Sequence, residues 1–201
     1  MATRTALMTA AISIAFLLPL TLGCSSEAPD PQPEPTGEAT ELSRELDPDN
    51  PTLLARPFTA EQIRDEWIEG FHLIIRQSSP NGEAVERWTV VAADPDGLEI
   101  ESAALDRGLQ VVGEPTVVHS GWVELRNHAS FPADRARREW TSRTTALGAL
   151  EGWLYTVADE EAGTVSELFF AASLPGAPVQ VTVRRGDETL ADFEQLERFR
   201  P

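Results

Sequence analysis

The spacing of apolar residues changes at Gly70, and this change limits the folds open to the chain. Upstream, one apolar face predicts an N-terminal helix over 60–69. The residues of that face are Ala60, Ile63 and Trp67. Downstream, Phe71, Leu73 and Ile75 alternate with the residues between them, which is the period of a β-strand. The sequence therefore predicts a domain that starts with a helix and continues as sheet.

The start of the helix is marked by a capping box. Thr59 occupies the N-cap position and Gln62 the third helical position, so each side chain can bond the other residue's backbone N–H. Phe58 and Ile63 stand where a hydrophobic staple requires apolar residues. Because Gly is the usual residue just past a helix end, Gly70 is predicted to stop this helix.

Turn signals divide the rest of the chain into short strands. Asn-Gly at 81–82 and Asp-Gly at 96–97 are typical of β-hairpins, and Gly186 precedes another turn. Strands are predicted at about 71–76, 85–93, 98–104, 109–112, 136–147, 151–158, 164–172 and 178–185. The segment 188–199 fits a helix or a ninth strand, and the strand is the preferred interpretation.

A break is predicted at 113–135, where Ser120 can cap a short helix over 121–129. Trp122, Leu125 and Ala129 would form its apolar side. The fold class is therefore α+β, with about eight or nine antiparallel strands and two helices. So wide a sheet usually curls or closes, and a curved sheet is expected.

The N-terminus has the features of an export signal. Arg4 precedes an uncharged apolar run at 6–22, and the chain's single Cys follows directly after Gly23. Gly23 and Cys24 match the end of the lipobox, so the segment resembles the signal of bacterial lipoproteins. Thr21 and Leu22 depart from its commonest form. The alternatives are a plain secretory signal or an uncleaved helix with an incidental Cys.

The resemblance implies a signal peptide over 1–23 and lipidation of Cys24. Members of this class carry three acyl chains, and two or more hold a protein stably on a membrane. Ser25 stands where an Asp would favour retention at the inner membrane. The resemblance therefore implies a cell-envelope location, with the outer membrane favoured where the organism has two membranes.

Residues 24–57 are predicted to be the lipidated Cys followed by a disordered tether. The segment is rich in Pro and acidic residues and poor in apolar side chains, so burial cannot offset its ordering entropy. A spacer is the preferred interpretation, and a partner-binding Pro-rich segment is the alternative. The remaining residues, 58–201, are predicted to form one globular domain.

Charge and motifs exclude several functions. The chain has 16 basic and 33 acidic residues, a net charge of −17, which excludes a nucleic-acid partner. A single Cys excludes an intrachain disulfide and a Cys-cluster zinc site. The sequence has no nucleophile elbow, zinc-protease helix or nucleotide-binding loop. No cofactor and no enzymatic activity are therefore expected.

The Trp residues suggest two possible uses of the sheet. The chain has five Trp and one Tyr. At strand spacing these rings either fill a core or line a concave face that binds a hydrophobic ligand, and the core is the preferred interpretation. The candidate ligand-binding residues are Trp88, Trp140 and Trp153.

Three polar clusters are weaker candidates. His119, Glu124 and His128 could bind a metal or exchange protons, or be ordinary cap and surface residues. Asp94-Pro95-Asp96-Gly97, with Glu99 and Glu101, resembles half a calcium loop but also predicts a hairpin turn. The basic group at 135, 137, 138 and 143 could meet an anionic headgroup or partner, or form a solvated connector.

The leading hypothesis is a membrane-anchored envelope lipoprotein whose non-catalytic domain binds envelope partners. The alternative is a carrier or receptor for a hydrophobic ligand, such as a lipid or a lipoprotein, in the cup of a curled sheet. An enzyme at His119, Glu124 and His128 is the third hypothesis.

Overall fold

The computed structural model describes residues 45–201 of the chain. The predicted signal peptide at 1–23, the predicted lipidation site Cys24 and the first part of the predicted tether lie outside the described residues. No helix in the described part is long and apolar enough to span a bilayer.

The domain is mostly sheet, with two short helices. Nine antiparallel strands form one open sheet in the order β4-β3-β2-β1-β9-β8-β7-β6-β5. The strands are β1 (His72–Ser79), β2 (Gly82–Ala93), β3 (Gly97–Leu105), β4 (Thr116–Gly121), β5 (Ala136–Thr145), β6 (Gly148–Asp159), β7 (Thr164–Ala171), β8 (Gln180–Arg185) and β9 (Glu188–Phe199). The helices are α1 (Ala60–Glu66) and α2 (Trp122–Asn127). The last segment is therefore a strand, and it pairs with β1 and β8.

Helix α1 begins with the predicted capping box. The Gln62 N–H donates to the Thr59 hydroxyl at 3.2 Å, and the Thr59 N–H donates to the Gln62 side chain at 2.8 Å. The helix ends at Glu66, three residues before the predicted end at 69. Trp67 leaves the helix because its ring stacks on Phe71 at 5.1 Å and its indole N–H donates to the Pro175 carbonyl.

The main core lies on one face of the sheet, called here the core face. Leu73 and Ile75 of β1, which were predicted to share one face of a strand, are fully buried there. Both helices cover this face, and Ile63 and Trp122 are their buried anchors. The core face is therefore largely filled by the protein's own side chains.

A second, smaller core lies on the opposite face, called here the outer face. The β5–β6 hairpin continues beyond the last residue pair between β6 and β7. Its tip contacts β9, because the Ala146 N–H donates to Glu194 at 3.1 Å. Leu147 and Leu150 of this hairpin pack near Phe169, which is fully buried.

The region predicted as a break contains a strand that the sequence analysis missed. The predicted strand at 109–112 is wrong, since it forms only an isolated bridge between Leu105 and Val111. Strand β4 lies farther along, at 116–121, and pairs with β3. Pro115 keeps ladder pairing from starting earlier, and the β-branched residues that follow it favour a strand.

Helix α2 is shorter than predicted and starts one residue later. Gly121, not Ser120, is the N-cap. Ser120 belongs to β4, where it pairs with Leu98, and its hydroxyl donates to Glu124 at 3.1 Å. Tertiary pairing with β3 therefore takes Ser120 away from the capping position.

Residues 45–57, the last part of the predicted tether, are packed on the domain and are called here the N-terminal strap. Leu54 is 1% exposed, and its N–H donates to the Phe131 carbonyl. Asp47 is buried in an ion pair with Arg56 at 2.6 Å. The packed residues therefore include some upstream of Phe58, where the domain was predicted to start. The polar composition of the strap gave no sign of its buried Leu and its buried ion pair.

Candidate functional site

The two ends of the sheet present different surfaces. Eleven large apolar side chains are exposed in the described part of the chain, and six of them lie between 109 and 123. These six are called here the β4 edge surface: Leu109, Val111, Val112, Val117, Val118 and Val123. Two of the six, Val117 and Val118, lie on the edge strand β4 itself, and the others flank it in the chain.

The loop before β4 is built to display its apolar residues. The Asp106 carboxylate accepts the backbone N–H groups of Gly108 and Gln110 at 2.8 and 3.0 Å, which closes a tight turn. Leu109 lies in this turn with a φ of 58°, a left-handed conformation that costs a bulky residue roughly 1–2 kcal/mol. Its side chain is nevertheless 49% exposed. The turn therefore holds a strained leucine in solvent.

Strand β4 is an edge strand without charged side chains. Within residues 45–201 it pairs with β3 alone, so its other side is hydrogen-bonded to no strand. Val117 and Val118 point to opposite faces and are 57% and 59% exposed. Natural sheets usually protect such an edge with charged side chains, and β4 itself has none.

The surroundings of β4 are acidic. Between 94 and 124 the chain has seven acidic residues and one Arg. Glu99 and Glu101 lie on β3 directly opposite His119 and Val117. The exposed apolar side chains of the β4 edge surface therefore lie close to carboxylates.

Strand β5, at the other end of the sheet, carries a buried cation that ties it to its neighbours. The Arg138 side chain is 5% exposed, and its guanidinium lies 3.3 Å from the centroid of the Trp153 ring. It donates to Glu45 of the strap at 2.6 Å and to the Tyr155 hydroxyl at 3.1 Å. Arg138 thus ties the edge strand, its neighbour β6 and the strap together.

Tyr155 completes this network. Its hydroxyl donates to the Ala55 carbonyl at 2.6 Å, and its ring is fully buried. Burial raises the pKa of Tyr155 to about 12, because the phenolate would lose its solvation, although the Arg138 charge acts in the opposite direction. The hydroxyl is therefore protonated at neutral pH and acts as a fixed donor.

The structure brings two of the three predicted ligand-binding Trp residues together. Trp140 is 51% exposed and meets Trp153 edge to face at 4.9 Å. Trp88 lies on β2, beside Phe193 at 6.2 Å, and its indole N–H donates to Glu86. Four strands separate β2 from β6, which is roughly 24 Å along the sheet. A ligand role for these residues stays a prediction.

The predicted metal or acid–base cluster has another structural use. Glu124 accepts hydrogen bonds from the Ser120 hydroxyl and the Gly121 N–H, so it caps α2. His119 is exposed on β4, and His128 is the C-cap of α2. Among residues 45–201 no three His, Cys, Asp or Glu side chains are placed to hold a metal ion.

The candidate calcium loop at 94–97 forms the predicted hairpin turn. The Asp94 carboxylate accepts the N–H groups of Asp96 and Gly97 at 2.8 and 3.0 Å. These bonds lower the pKa of Asp94, because they favour its charged form. Its oxygen is thus already engaged by the turn.

The predicted basic group is divided between different contacts. Arg135 lies 4.0 Å from Asp134, and Arg143 pairs with Glu167 at 3.0 Å. Arg138 is buried, whereas Arg137 is exposed on the edge strand. The group therefore presents no single basic patch.

No protein-family model matches the chain, and no curated protein sequence matches it. Among solved structures, a chain of the Pseudomonas aeruginosa MucA/MucB complex is similar over 69% of this chain, at 10% identity and a TM-score of 0.48. This chain spans about half the length of that one, 54%.

Two further structures are similar. A Parabacteroides distasonis protein described as a lipoprotein shares 8% identity, with 72% of this chain and 98% of that one covered and a TM-score of 0.40. A Bacteroides fragilis exported protein with a YmcC-like fold shares 9% identity, with coverages of 66% and 96% and a TM-score of 0.38. Likenesses this distant carry no argument about the function of this chain.

The sequence analysis did not identify the β4 edge surface. The available signal was the run Thr116-Val117-Val118 directly after Pro115. That run predicts a strand but not an edge, because edge position depends on the pairing of the whole sheet.

Proposed function

We propose that this protein is a lipid-anchored envelope lipoprotein whose domain binds a protein partner through the β4 edge surface, without catalysis. One observation carries this proposal: six of the eleven exposed large apolar side chains of residues 45–201 lie within 109–123, beside an edge strand without charges. Exposed apolar side chains are unfavourable in water, so their concentration in one segment around an edge strand favours a partner that covers them.

A protein partner fits this surface better than a membrane does. The carboxylates of Glu99, Glu101 and Glu114 lie on or beside it, and an anionic bilayer surface would repel them. The membrane contact of this protein is instead assigned to the acyl chains on Cys24.

The partner contact is tested by photo-crosslinking in cells of the source organism. A photoreactive amino acid at Val111 should give one discrete crosslinked protein. The matched control is position 165, because Val165 is also exposed, at 43%, but lies on the inner strand β7. Equal crosslinking from both positions, or none from 111, would contradict the proposal.

The anchor is tested by Cys24→Ser. The wild-type protein should incorporate radiolabelled palmitate and sediment with membranes, and the variant should do neither because it lacks the acceptor thiol. A variant that stays in the membrane fraction without label would indicate an uncleaved helix instead.

A second candidate function is transport of a hydrophobic ligand. Trp88, Ile100, Val183 and Phe193 lie on the core face and are only partly buried. Native mass spectrometry of the full-length protein tests it. An added mass that disappears on unfolding would support a carrier, and a bare chain would favour the protein-binding function.

A further inference from the structure

We infer that β4 binds its partner by strand addition, and that the added strand alternates apolar β-branched residues with Lys or Arg. This inference rests on the proposed function and deepens it, because it names the mode of binding and the chemistry of the partner.

The backbone of β4 supports strand addition. In an antiparallel edge strand, every second residue directs its N–H and C=O away from the sheet. Across residues 116–121 these groups face no strand within the described part of the chain. An extended partner segment of five or six residues would match this length and satisfy them.

On the core face, we expect the residue of the added strand that lies beside Val118 to be apolar. Val118 pairs with Ile100 of β3, and Ile100 pairs with Val90 of β2, so three aliphatic side chains form one row across the sheet. Val118 ends the row at 59% exposure, while Val90 is 1% exposed. A β-branched residue of an added strand would extend this row and cover Val118.

The outer face of β4 calls for a basic partner residue. There Val117 pairs with Glu101, and His119 pairs with Glu99. An added strand would lie two strand spacings from β3, about 10 Å. A Lys or Arg at that position can lay its stem over Val117 and bring its charge near the carboxylate. Because successive residues face opposite sides, the partner should alternate the two kinds of residue.

A second copy of this chain fits β4 less well. Antiparallel pairing of β4 with itself would place Val118 against aliphatic residues, which is favourable. It would also leave Glu99 and Glu101 of both copies without a basic partner, because β4 itself has no Lys or Arg. The acidic surroundings therefore select a basic strand from another protein.

The test is selection from a phage-displayed library of random ten-residue peptides on the full-length lipidated protein in detergent micelles. Enriched peptides should alternate Val, Ile or Thr with Lys or Arg. Val118→Lys should lower the affinity of the best peptide about tenfold or more, because a valine contact is lost and a like charge is added. Glu99→Gln combined with Glu101→Gln should lower it about two- to tenfold and weaken its salt dependence.

Two matched controls test whether the loss of peptide affinity is specific to β4. Val165→Lys removes an exposed valine from the inner strand β7, and Ser142→Lys adds the same charge to the exposed β5 edge. Neither should change peptide affinity. Hydrogen exchange of the wild-type protein with the peptide bound should show new protection confined to alternate amides of 116–121.

Several results would overturn the inference. These are no enrichment, enriched peptides without alternating basic residues, binding that survives Val118→Lys, or protection outside β4. A dimer without peptide that Val118→Lys dissociates would make a second copy the occupant. If the crosslinked partner at position 111 persists in Val118→Lys, the proposed function stands and strand addition fails.

Discussion

The two edge strands of this sheet differ in how far the rest of the protein covers them. Strand β5 is tied to the strap by Arg138, which is buried against Trp153 and bonded to Glu45. Strand β4 has no such cover within the described residues, and its valines face solvent. Unprotected edges invite pairing with another chain, so natural proteins keep them where pairing is useful.

The comparison of β5 with β4 shows that the covering of an edge strand depends on tertiary contacts as well as on the composition of the strand. Strand β5 contains exposed polar residues, but the contacts of its buried side also involve Glu45, Ala55 and Leu54 from a segment far away in sequence. The strap covers the β5 side and not the β4 side. Stability should therefore be sensitive to changes near β5 and insensitive to changes on β4.

The largest effect is expected for Leu54→Ala in the strap. Leu54 is 1% exposed, so the change removes a buried side chain and should lower the free energy of unfolding by about 3 kcal/mol. Urea unfolding of the full-length protein, followed by Trp fluorescence, measures it. Leu46→Ala is the matched control, because Leu46 is 40% exposed and should cost well under half as much. Equal losses of stability in the two variants would show that Leu54 does not anchor the strap on the β5 side of the sheet.

The next effect is the loss of stability at high pH through Tyr155. Below pH 10 the phenol is protonated in both folded and unfolded chains, and its stabilising contribution is fully present. Above pH 10 the unfolded chain ionises first, since the folded pKa is about 12, so this contribution is lost as pH rises to 12. The loss should reach about 2–3 kcal/mol.

Tyr155 is the chain's only Tyr, so phenolate absorbance reports it alone. The absorbance of the folded protein should titrate near pH 12, and that of the urea-unfolded protein near 10. Tyr155→Phe should remove the extra pH dependence of unfolding. A folded titration near pH 10 would show that the β5 side is open to solvent.

A smaller effect is expected for Arg138→Met at the charged edge. The change removes the stacking on Trp153 and the bond to Tyr155, while the exposed Glu45 carboxylate stays solvated. The expected cost is about 2 kcal/mol in urea unfolding. Arg143→Met is the control on the same strand, and its half-exposed pair with Glu167 should contribute under about 1 kcal/mol. If both changes lower the free energy of unfolding equally, Arg138 stabilises β5 no more than an ordinary surface ion pair does.

The smallest effect on stability is expected for Val118→Lys on β4. The side chain is 59% exposed, so the free energy of unfolding should change by less than about 0.5 kcal/mol. The same unfolding experiment measures it. A loss above about 1.5 kcal/mol would mean that β4 contributes to the core, and the contrast between the two edges would no longer hold.

Local patterns predicted much of the fold. The alternation around 71–76 predicted β1, with Leu73 and Ile75 on one face. The capping box predicted the start of α1, because these signals act between neighbouring residues. The same reasoning missed β4 and placed a strand at 109–112. Between the turn at Asp106 and Pro115, local preferences did not determine where the strand begins. Its position depends on pairing with β3.

The candidate site was less accessible to prediction. The exposed Trp140 and its neighbour Trp153 were identified from strand spacing, but Trp88 lies on a distant strand. His119 and Glu124 were candidates for a metal or acid–base site because of their residue types, although Glu124 caps helix α2. Sequence patterns report residue type and face, whereas proximity depends on which strands pair.

The sequence by itself determined where most of the strands and turns lie, because alternation and turn residues act over a few positions. The exception is β4, which was not predicted. Only the tertiary structure decided which strands became edges. Strand β9 returns to pair with β1, so β4 and β5, which lie on either side of α2 in the chain, end up at opposite ends of the sheet. That arrangement follows from pairing between segments more than a hundred residues apart, and no local pattern encodes it.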